Sequence, residues 1–599
     1  MEKRTKRQNK ITTPVFWASL FLSLAIVLLA AFSSEGFQGV TAHVCEVISC
    51  NFSWYYLLLV TAIVVVCLFL AISPIGQIRL GDPDSRPEHS NLSWFAMLFS
   101  AGMGIGLVFW GAAEPLSHYA ISSPSAPVGT NAALADSFTR TFFHWGIHAW
   151  AIYAIVALAL AYFKFRKKEK SLLSVTLKPF LGNKTEGWIG KVIDTITIFA
   201  IVVGIATTLG FGVAQINGGL NYLFDTPLCF SVQAIIVTIT TILFIASALS
   251  GLGKGLKLLS NINIILALAL LGIALVVGPT VSILNTFVDS LGSYIQGFFG
   301  MSLGLGAIDQ VKHSWVEDWT VFYWVWWIAW APSVGVFIAR ISKGRTIREF
   351  LICVLIIPSI LSFLWFSTFG TMSTAIQSSG LFDLKNLGVE QVLFGTLAQY
   401  PLGGLMCGLA LLLILFFFVT SADSATFVLG MLSENGNLNP HKRTKAIWGV
   451  FVAAVSLALL AAGGLDALQN ILIIVALPFS AIMLVMMFAL IKELNHERQA
   501  MGLVLKPAVI PEKDHPFKSY ERKVRIPNLS VWASAEEGEE EFSIPLYTRK
   551  KENPFVVKPF KIPKRKAYIQ AKSNIHKHMG AVADSYCSCE AFVRSNNRA

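Results

Sequence analysis

Twelve stretches of this chain are each long and apolar enough to cross the ~30 Å hydrocarbon core of a bilayer. They lie near 14–34, 54–73, 92–113, 140–163, 192–215, 231–250, 260–282, 319–341, 349–374, 402–431, 445–464 and 469–491. Lipid offers a backbone no hydrogen-bonding partner, so runs of this length have to close their bonds internally, as helices. Soluble domains are about a quarter charged. Here only 14% of residues are charged and 54% are hydrophobic, so the chain reads as an all-α polytopic membrane protein with twelve transmembrane helices. That excludes a soluble enzyme.

The charges test the count. With the N-terminus inside, the cytoplasmic segments ahead of the tail carry twenty-four Lys and Arg, while the opposite loops carry only Lys312 and Lys385, with Arg140 at a boundary. So strong a bias places both termini in the cytoplasm, and a missed span would invert it partway. The first apolar run, from Pro14, is longer than a signal-peptide core and lacks a small-residue cleavage site. The chain therefore divides into a basic N-terminus (1–13), a membrane core (14–491) and a cytoplasmic tail (492–599). The setting is a bacterial inner membrane, with a lipid bilayer as partner and no nucleic acid.

Cys45 and Cys50 fall in the first external loop, on the oxidising side, either as a pair or as two ordinary loop residues; Cys587 and Cys589 read as free thiols in the tail. The tail also sets an acidic patch, Glu536 to Glu541, before a basic run from Lys558 to Lys572. That pattern is either a solvated extension or a contact with anionic lipid. Between the seventh and eighth spans, Leu284 to Gly306 mixes apolar with polar residues, as an amphipathic helix on the external surface would.

Two features carry chemistry. The stretch Val321-Phe322-Tyr323-Trp324-Val325-Trp326-Trp327-Ile328-Ala329-Trp330 packs four tryptophans into seven residues, and upstream lie Trp145, Trp150 and Tyr153. A lone membrane tryptophan is ordinarily interface or packing, but a cluster this dense at membrane depth exceeds an interfacial belt. Aromatic faces without adjacent carboxylates suit a quaternary ammonium group. Trp145, Trp150 and Tyr153 are five and three apart, close to one helical face. Tyr323, one turn before Trp327, is placed to extend the aromatic face, whereas Trp326 and Trp330 share another. The second feature is Gly102-Met103-Gly104-Ile105-Gly106 in the third span. Glycine costs ~1 kcal/mol inside a helix, so alternating glycines mark either an unwound helix facing a cavity or close helix packing. Glu114-Pro115 in the same span, with the tryptophans elsewhere, favours the first.

Gly102 to Gly106 followed by Trp110-Gly111-Ala112-Ala113-Glu114-Pro115, the segment from Trp319 to Phe350, and Val419-Thr420-Ser421-Ala422-Asp423-Ser424 together resemble the betaine–choline–carnitine transporter family. The resemblance covers roughly residues 14–491. It implies two leading helices, then two inverted five-helix repeats, spans 3–7 and 8–12, and a homotrimer. It implies an aromatic box of Trp145, Trp150, Tyr153 and Trp327 for a small quaternary-ammonium substrate, with Trp326 and Trp330 along the pathway. A carboxylate on that substrate would rest near Met103 on the freed amides of Gly104 and Gly106.

No cofactor is implied beyond a coupling ion. By resemblance, one sodium site draws on backbone carbonyls near Ser100, Met103 and Phe417 with the hydroxyls of Thr420 and Ser421. The family's other proposed site is not matched: Ile201 and Ile205 replace hydroxyls, Ser333 replaces a phenylalanine, and only Thr207 and Thr208 lie nearby. Proton-coupled choline members carry an Asp where this chain has Gly106, and carnitine exchangers a Met where it has Val334. The expectation is therefore a sodium-coupled importer of glycine betaine working by alternating access. Proton-coupled choline uptake is second, and an amino-acid symporter of the same architecture third.

Overall fold

A computed structural model describes residues 13–503, apart from 103 and 251–254, together with short strands in the tail; for 99–102, 250, 255–258 and those strands it describes the backbone alone. The basic residues Lys3 to Lys10 and the thiols Cys587 and Cys589 lie outside the described residues. The chain divides into two compact units, Met1–Leu505 and Lys506–Ala599.

The first unit is helical: α1 (Pro14–Phe32), α2 (Ser34–Ile72), α3 (Asn91–Gly102), α4 (Ile105–Ala120), α5 (Asn131–Trp145), α6 (Ile147–Ala161), α7 (Trp188–Phe224), α8 (Phe230–Ser250), α9 (Gly255–Val277), α10 (Thr280–Ser302), α11 (Phe322–Ile341), α12 (Ile347–Ser379), α13 (Gly403–Ser433) and α14 (Lys442–Ala500). Among the described residues, ten helices are long and apolar enough to cross a membrane. The run at 92–113 is absent from that set because it is divided between α3 and α4. The runs at 445–464 and 469–491 both fall in α14, which kinks where Gly463 and Gly464 leave helical geometry.

Two segments differ from expectation. The first external loop is not a loop: α2 is continuous over 39 residues, and hydropathy detects only its apolar second half. Cys45 and Cys50 are therefore five apart on one helix, turned about 140° from each other, and both thiols are free. The amphipathic segment after the seventh span is helical, as α10. It buries Ile283, Ser290, Tyr294 and Met301, a spacing of seven, four and seven that defines a single face.

In the tail, β1 (Ser519–Ile526) pairs antiparallel with β2 (Leu529–Glu536), setting Ile526 opposite Leu529. All-α thus describes the membrane core only. Of the acidic patch, Glu536 and Glu541 lie on described strands, and of the basic run only Lys558 and Lys561 do; the other residues of both lie outside the described residues.

Candidate functional site

The break in the third span is the foundation of the site. α3 ends at Gly102, α4 begins at Ile105, and between them Gly104 is fully extended (φ −141°, ψ −174°). Of the first-turn amides of α4, that of Leu107 bonds back to the Gly104 carbonyl (3.2 Å), while those of Ile105 and Gly106 have no preceding turn to bond to, and the helix dipole adds positive potential there. A methyl group placed on Gly104 would meet nothing within 4 Å among the described residues, whereas one on Gly106 would come 2.8 Å from the Trp326 ring and 3.2 Å from that of Trp145. Gly104 faces open space and Gly106 admits two indoles against the backbone.

A second break, unexpected from the sequence, shapes the aromatic wall. Helix geometry fails at Gly146, between α5 and α6. A side chain there would collide with the Phe142 carbonyl at 2.5 Å and the Phe363 ring at 2.7 Å. The groups freed by this break are taken up nearby. The Ile147 amide donates to the Tyr294 hydroxyl of α10 (3.2 Å), and the His144 carbonyl accepts the Trp327 indole N–H (3.0 Å). Trp145 and Trp150 consequently lie on separate helices, so their helical spacing does not explain their proximity.

These elements enclose a cavity of about 180 Å³ whose walls include Gly104, Gly106, Trp145, Trp150, Tyr153, Trp326, Trp327 and Trp330. Trp145 stands edge-on to Trp327, with centroids 4.8 Å apart and planes at 74°. Tyr153 meets Trp327 at 6.0 Å and 76° and Trp150 at 5.6 Å and 78°. Trp326 lies parallel to Trp327, 5.2 Å away. Most indole N–H groups are spent on protein. Trp326 donates to the Thr208 hydroxyl (3.0 Å), and Trp330 to Thr208 (2.8 Å) and the Gly204 carbonyl (2.9 Å). The aromatic part of the wall therefore offers ring carbon and π density, residues with hydroxyls (Ser260, Ser333, Thr420, Ser421) border the rest, and no charged side chain is among the described residues lining the cavity.

Trp326 and Trp330 line the same cavity as the residues of the aromatic box. One expectation is corrected. Tyr323 does not extend the aromatic face of the cavity, because its hydroxyl turns to Glu114 Oε2 (2.5 Å). Trp324 is likewise elsewhere, packed on Phe143 and His148.

Phe417, Thr420 and Ser421 border the same cavity. The Thr420 hydroxyl bonds to the Phe416 carbonyl (2.9 Å) and accepts from Asn263 Nδ2 (2.9 Å), a buried amide on α9. Ser100 is placed on α3 by its backbone only, and Met103 lies outside the described residues. Thr208 donates to the Gly204 carbonyl (3.1 Å) and accepts both the Trp326 and Trp330 indole N–H groups, which engages its lone pairs, whereas Thr207 donates to the Leu468 carbonyl (3.2 Å).

Sequence reading used Glu114 only as a marker for the end of its span, but the structure makes it a junction. It is fully buried and meets Trp145 Nε1 (2.6 Å), the Tyr323 hydroxyl, His144 Nδ1 (2.8 Å) and His118 Nε2 (3.4 Å). Glu114, His118 and His144 bring potential metal-ligand atoms within 4.8 Å of one another. However, Trp145 and Tyr323 already occupy the carboxylate, and Thr320 bonds to His144 Nε2 (2.9 Å). The available signal was an ionisable residue inside an apolar run, which by itself marks function.

The sequence profile of the BCCT, betaine/carnitine/choline family transporter, matches residues 14–499. The chain is 55% identical over 490 residues to the glycine betaine transporter OpuD of Bacillus subtilis, covering 82% of this chain and 96% of that one. It is 42% identical over 498 residues to a probable glycine betaine transporter of Desulfitobacterium hafniense (82% and 98% covered). It is 39% identical over 492 residues to an ectoine/hydroxyectoine transporter of Virgibacillus pantothenticus (82% and 97% covered).

Proposed function

The chain belongs to the betaine/carnitine/choline family of membrane transporters, and from that premise we propose that it imports glycine betaine by sodium symport with alternating access. It is a multi-pass membrane transporter, not an enzyme. The observation that carries the substrate is the cavity itself: five indoles and a phenol, with no charged side chain among the described residues around them. A trimethylammonium group donates no hydrogen bonds and is attracted to ring faces at ~1–2 kcal/mol per desolvated contact. A primary ammonium needs three hydrogen-bond acceptors, which ring faces do not supply, so the aromatic part of the cavity favours the methylated group. The carboxylate of betaine rests on the exposed first-turn amides of α4, at the break that Gly104 opens. Two relatives at 55% and 42% identity carry glycine betaine in their names, which supports the same choice.

Sodium binds beside the substrate, at Phe417, Thr420 and Ser421 with the backbone around Ser100 and Met103. Isoleucine at 201 and 205, where a second site would need hydroxyls, and the two indoles already bonded to Thr208 favour one such site over two. Counting α3 with α4 as one crossing and the kinked α14 as two turns ten apolar helices into twelve crossings, two leading helices and two inverted repeats. The Lys and Arg bias keeps both termini cytoplasmic at a bacterial inner membrane, and the assembly is a homotrimer.

The test is uptake of labelled betaine, choline, carnitine, ectoine and proline by cells expressing the chain, with sodium present and with it replaced. Betaine uptake that requires sodium is expected. Choline uptake driven by the proton gradient and indifferent to sodium would replace this reading with the second one.

A further inference from the structure

Glu114 lies outside the cavity wall, yet it is bonded to a residue that forms that wall. Its Oε2 accepts the Trp145 indole N–H at 2.6 Å and the Tyr323 hydroxyl at 2.5 Å, and its Oε1 lies 2.8 Å from His144 Nδ1. Those partners stand on α5 and α11, while Glu114 stands on α4, the helix whose first turn carries Gly104 and Gly106. All of these side chains except Trp145 are essentially inaccessible; Trp145 keeps 5% exposure, and its ring lines the cavity. Tyr323 is stacked nearly parallel to both Trp326 and Trp327, at 25° and 22°. One carboxyl group therefore holds the first tryptophan of the box directly and the tryptophan pair through the tyrosine packed against it.

We propose that Glu114 is the positioning residue of the quaternary-ammonium cavity: it fixes the plane of the Trp145 indole from behind. This rests on the substrate reading above. Trp has one donor, and only an acceptor on the far side of the ring can hold it with the ring against the cavity. In a water-free interior each of these hydrogen bonds is electrostatically stronger than it would be in water. The placement also separates two tasks. An acid inside the cavity would attract any ammonium ion, including those the aromatic walls exclude. An acid behind the indole orders the ring without offering a hydrogen-bond acceptor to the substrate.

Glutamine at 114 preserves shape and one acceptor, and its amide can donate to the other tautomer of His144 while that ring donates to Thr320. Glu114→Gln is thus the mild variant and Glu114→Ala the severe one. Trp145→Phe keeps a ring but loses the N–H through which Glu114 acts. The experiment is a double-mutant cycle on the purified full-length protein, reading the dissociation constant of labelled glycine betaine by scintillation proximity, with melting temperature alongside.

Glu114→Ala is expected to weaken binding about tenfold, the loss of one buried hydrogen bond. Glu114→Gln should fall between it and the parent, and the same Gln change in a Trp145→Phe background should add less than about twofold. A Glu114 that only held helices together would lower the melting temperature in both backgrounds, and its effect on binding would multiply with that of Trp145→Phe. Multiplying effects, or an unchanged dissociation constant in Glu114→Gln and Glu114→Ala alike, overturn the proposal. Should Glu114→Ala not fold, the Gln cycle decides. A parent protein that binds neither betaine nor choline overturns the substrate reading instead, and this assignment with it.

Discussion

The indole N–H of Trp327 donates to the backbone carbonyl of His144 at 3.0 Å, a bond that exists because the helix carrying His144 stops one residue later. Had α5 run unbroken into α6, that carbonyl would have met an amide of its own helix. The interruption at Gly146 therefore supplies the acceptor that holds the central ring of the cavity, and the Tyr294 hydroxyl takes up the amide freed on the other side. Two broken helices, one at Gly104 and one at Gly146, meet at the same site. Irregular backbone at membrane depth is tolerated where it lines a cavity or is re-satisfied by protein, and both conditions are seen here.

Removing a wall of the cage should show this most directly. Trp327→Ala and Trp150→Ala are each expected to weaken betaine binding about thirtyfold, the equivalent of ~2 kcal/mol. Membrane insertion should be unaffected. Trp324→Phe should be nearly silent in binding, since Trp324 packs on Phe143 and His148 away from the cavity. Equilibrium binding in detergent checks all three, and parental affinity in both alanine variants would mean that other rings hold the cation.

The two glycines of the α4 entry should respond differently. Gly106→Ala pushes a methyl group to 2.8 Å from Trp326 and 3.2 Å from Trp145, whereas Gly104→Ala meets nothing within 4 Å among the described residues. The first is expected to lower betaine affinity at least tenfold and the second by less than about threefold, because overpacking costs ~1–3 kcal/mol. The same clash limits Gly106→Asp as a probe of proton coupling: the aspartate would displace the box tryptophans before it could exchange a proton. Equal losses at 104 and 106 would contradict the placement of the rings.

Much of the fold is legible in the sequence because apolar run length and charge bias follow directly from the physics of a bilayer. What escaped detection are features that leave no trace in hydropathy. The polar first half of α2 continues a helix whose apolar half alone reaches the threshold. The run Trp145-Gly146-Ile147-His148 has a composition any helix tolerates, so spacings of five and three suggested one face where there are two helices. Tyr323 was expected to extend the aromatic face by its position one turn before Trp327, but its hydroxyl needs a buried acceptor and finds one in Glu114. The tryptophans drew attention by abundance, while the carboxylate that orients one of them is a single residue among apolar neighbours.

Gly146→Ala offers a stability test separate from substrate. The added methyl would sit 2.5 Å from the Phe142 carbonyl, which is backbone, and 2.7 Å from the tip of the Phe363 ring, which is held in a stack on Phe142 at 4.2 Å. A loss of ~1–3 kcal/mol is expected, read as a lower melting temperature in detergent. Because the break also presents the His144 carbonyl to Trp327, betaine affinity should fall in the fraction that folds. An unchanged melting temperature would show that the helix reforms across residue 146 without strain.

The ion site makes a sharper demand. Thr420 and Ser421 border the substrate cavity, and the Thr420 hydroxyl is held by the Phe416 carbonyl and Asn263. If these hydroxyls coordinate the transported sodium, replacing both with Ala should raise the sodium concentration for half-maximal uptake about tenfold or more, since a hard cation depends on its oxygen ligands. Affinity for betaine at saturating sodium should change much less, because no ring of the cage is touched. Uptake kinetics over a sodium series, at fixed and at saturating betaine, separate the two effects. A loss of betaine affinity that sodium cannot restore would mean that the hydroxyls bind substrate, and sodium dependence identical to the parent would move the ion elsewhere.

The tail supplies the last test. Its acidic patch and basic run are oppositely charged and close in sequence, and cytoplasmic ionic strength rises as a cell accumulates potassium under osmotic stress. The Debye length shrinks from ~10 Å at 0.1 M to ~3 Å at 1 M, so contacts of the basic run with anionic lipid, or with the acidic patch, weaken over that range. The strand pairing decides where to cut. A truncation after Arg525 would divide β1 from the strand it pairs with, because Ile526 lies opposite Leu529, whereas the boundary between the two compact units follows Leu505. Deleting residues from Lys506 onward is expected to leave betaine uptake intact at constant osmolality and to shift or flatten its activation as osmolality rises. An activation curve identical to that of the full chain, at matched membrane abundance, would reduce the tail to a passive extension.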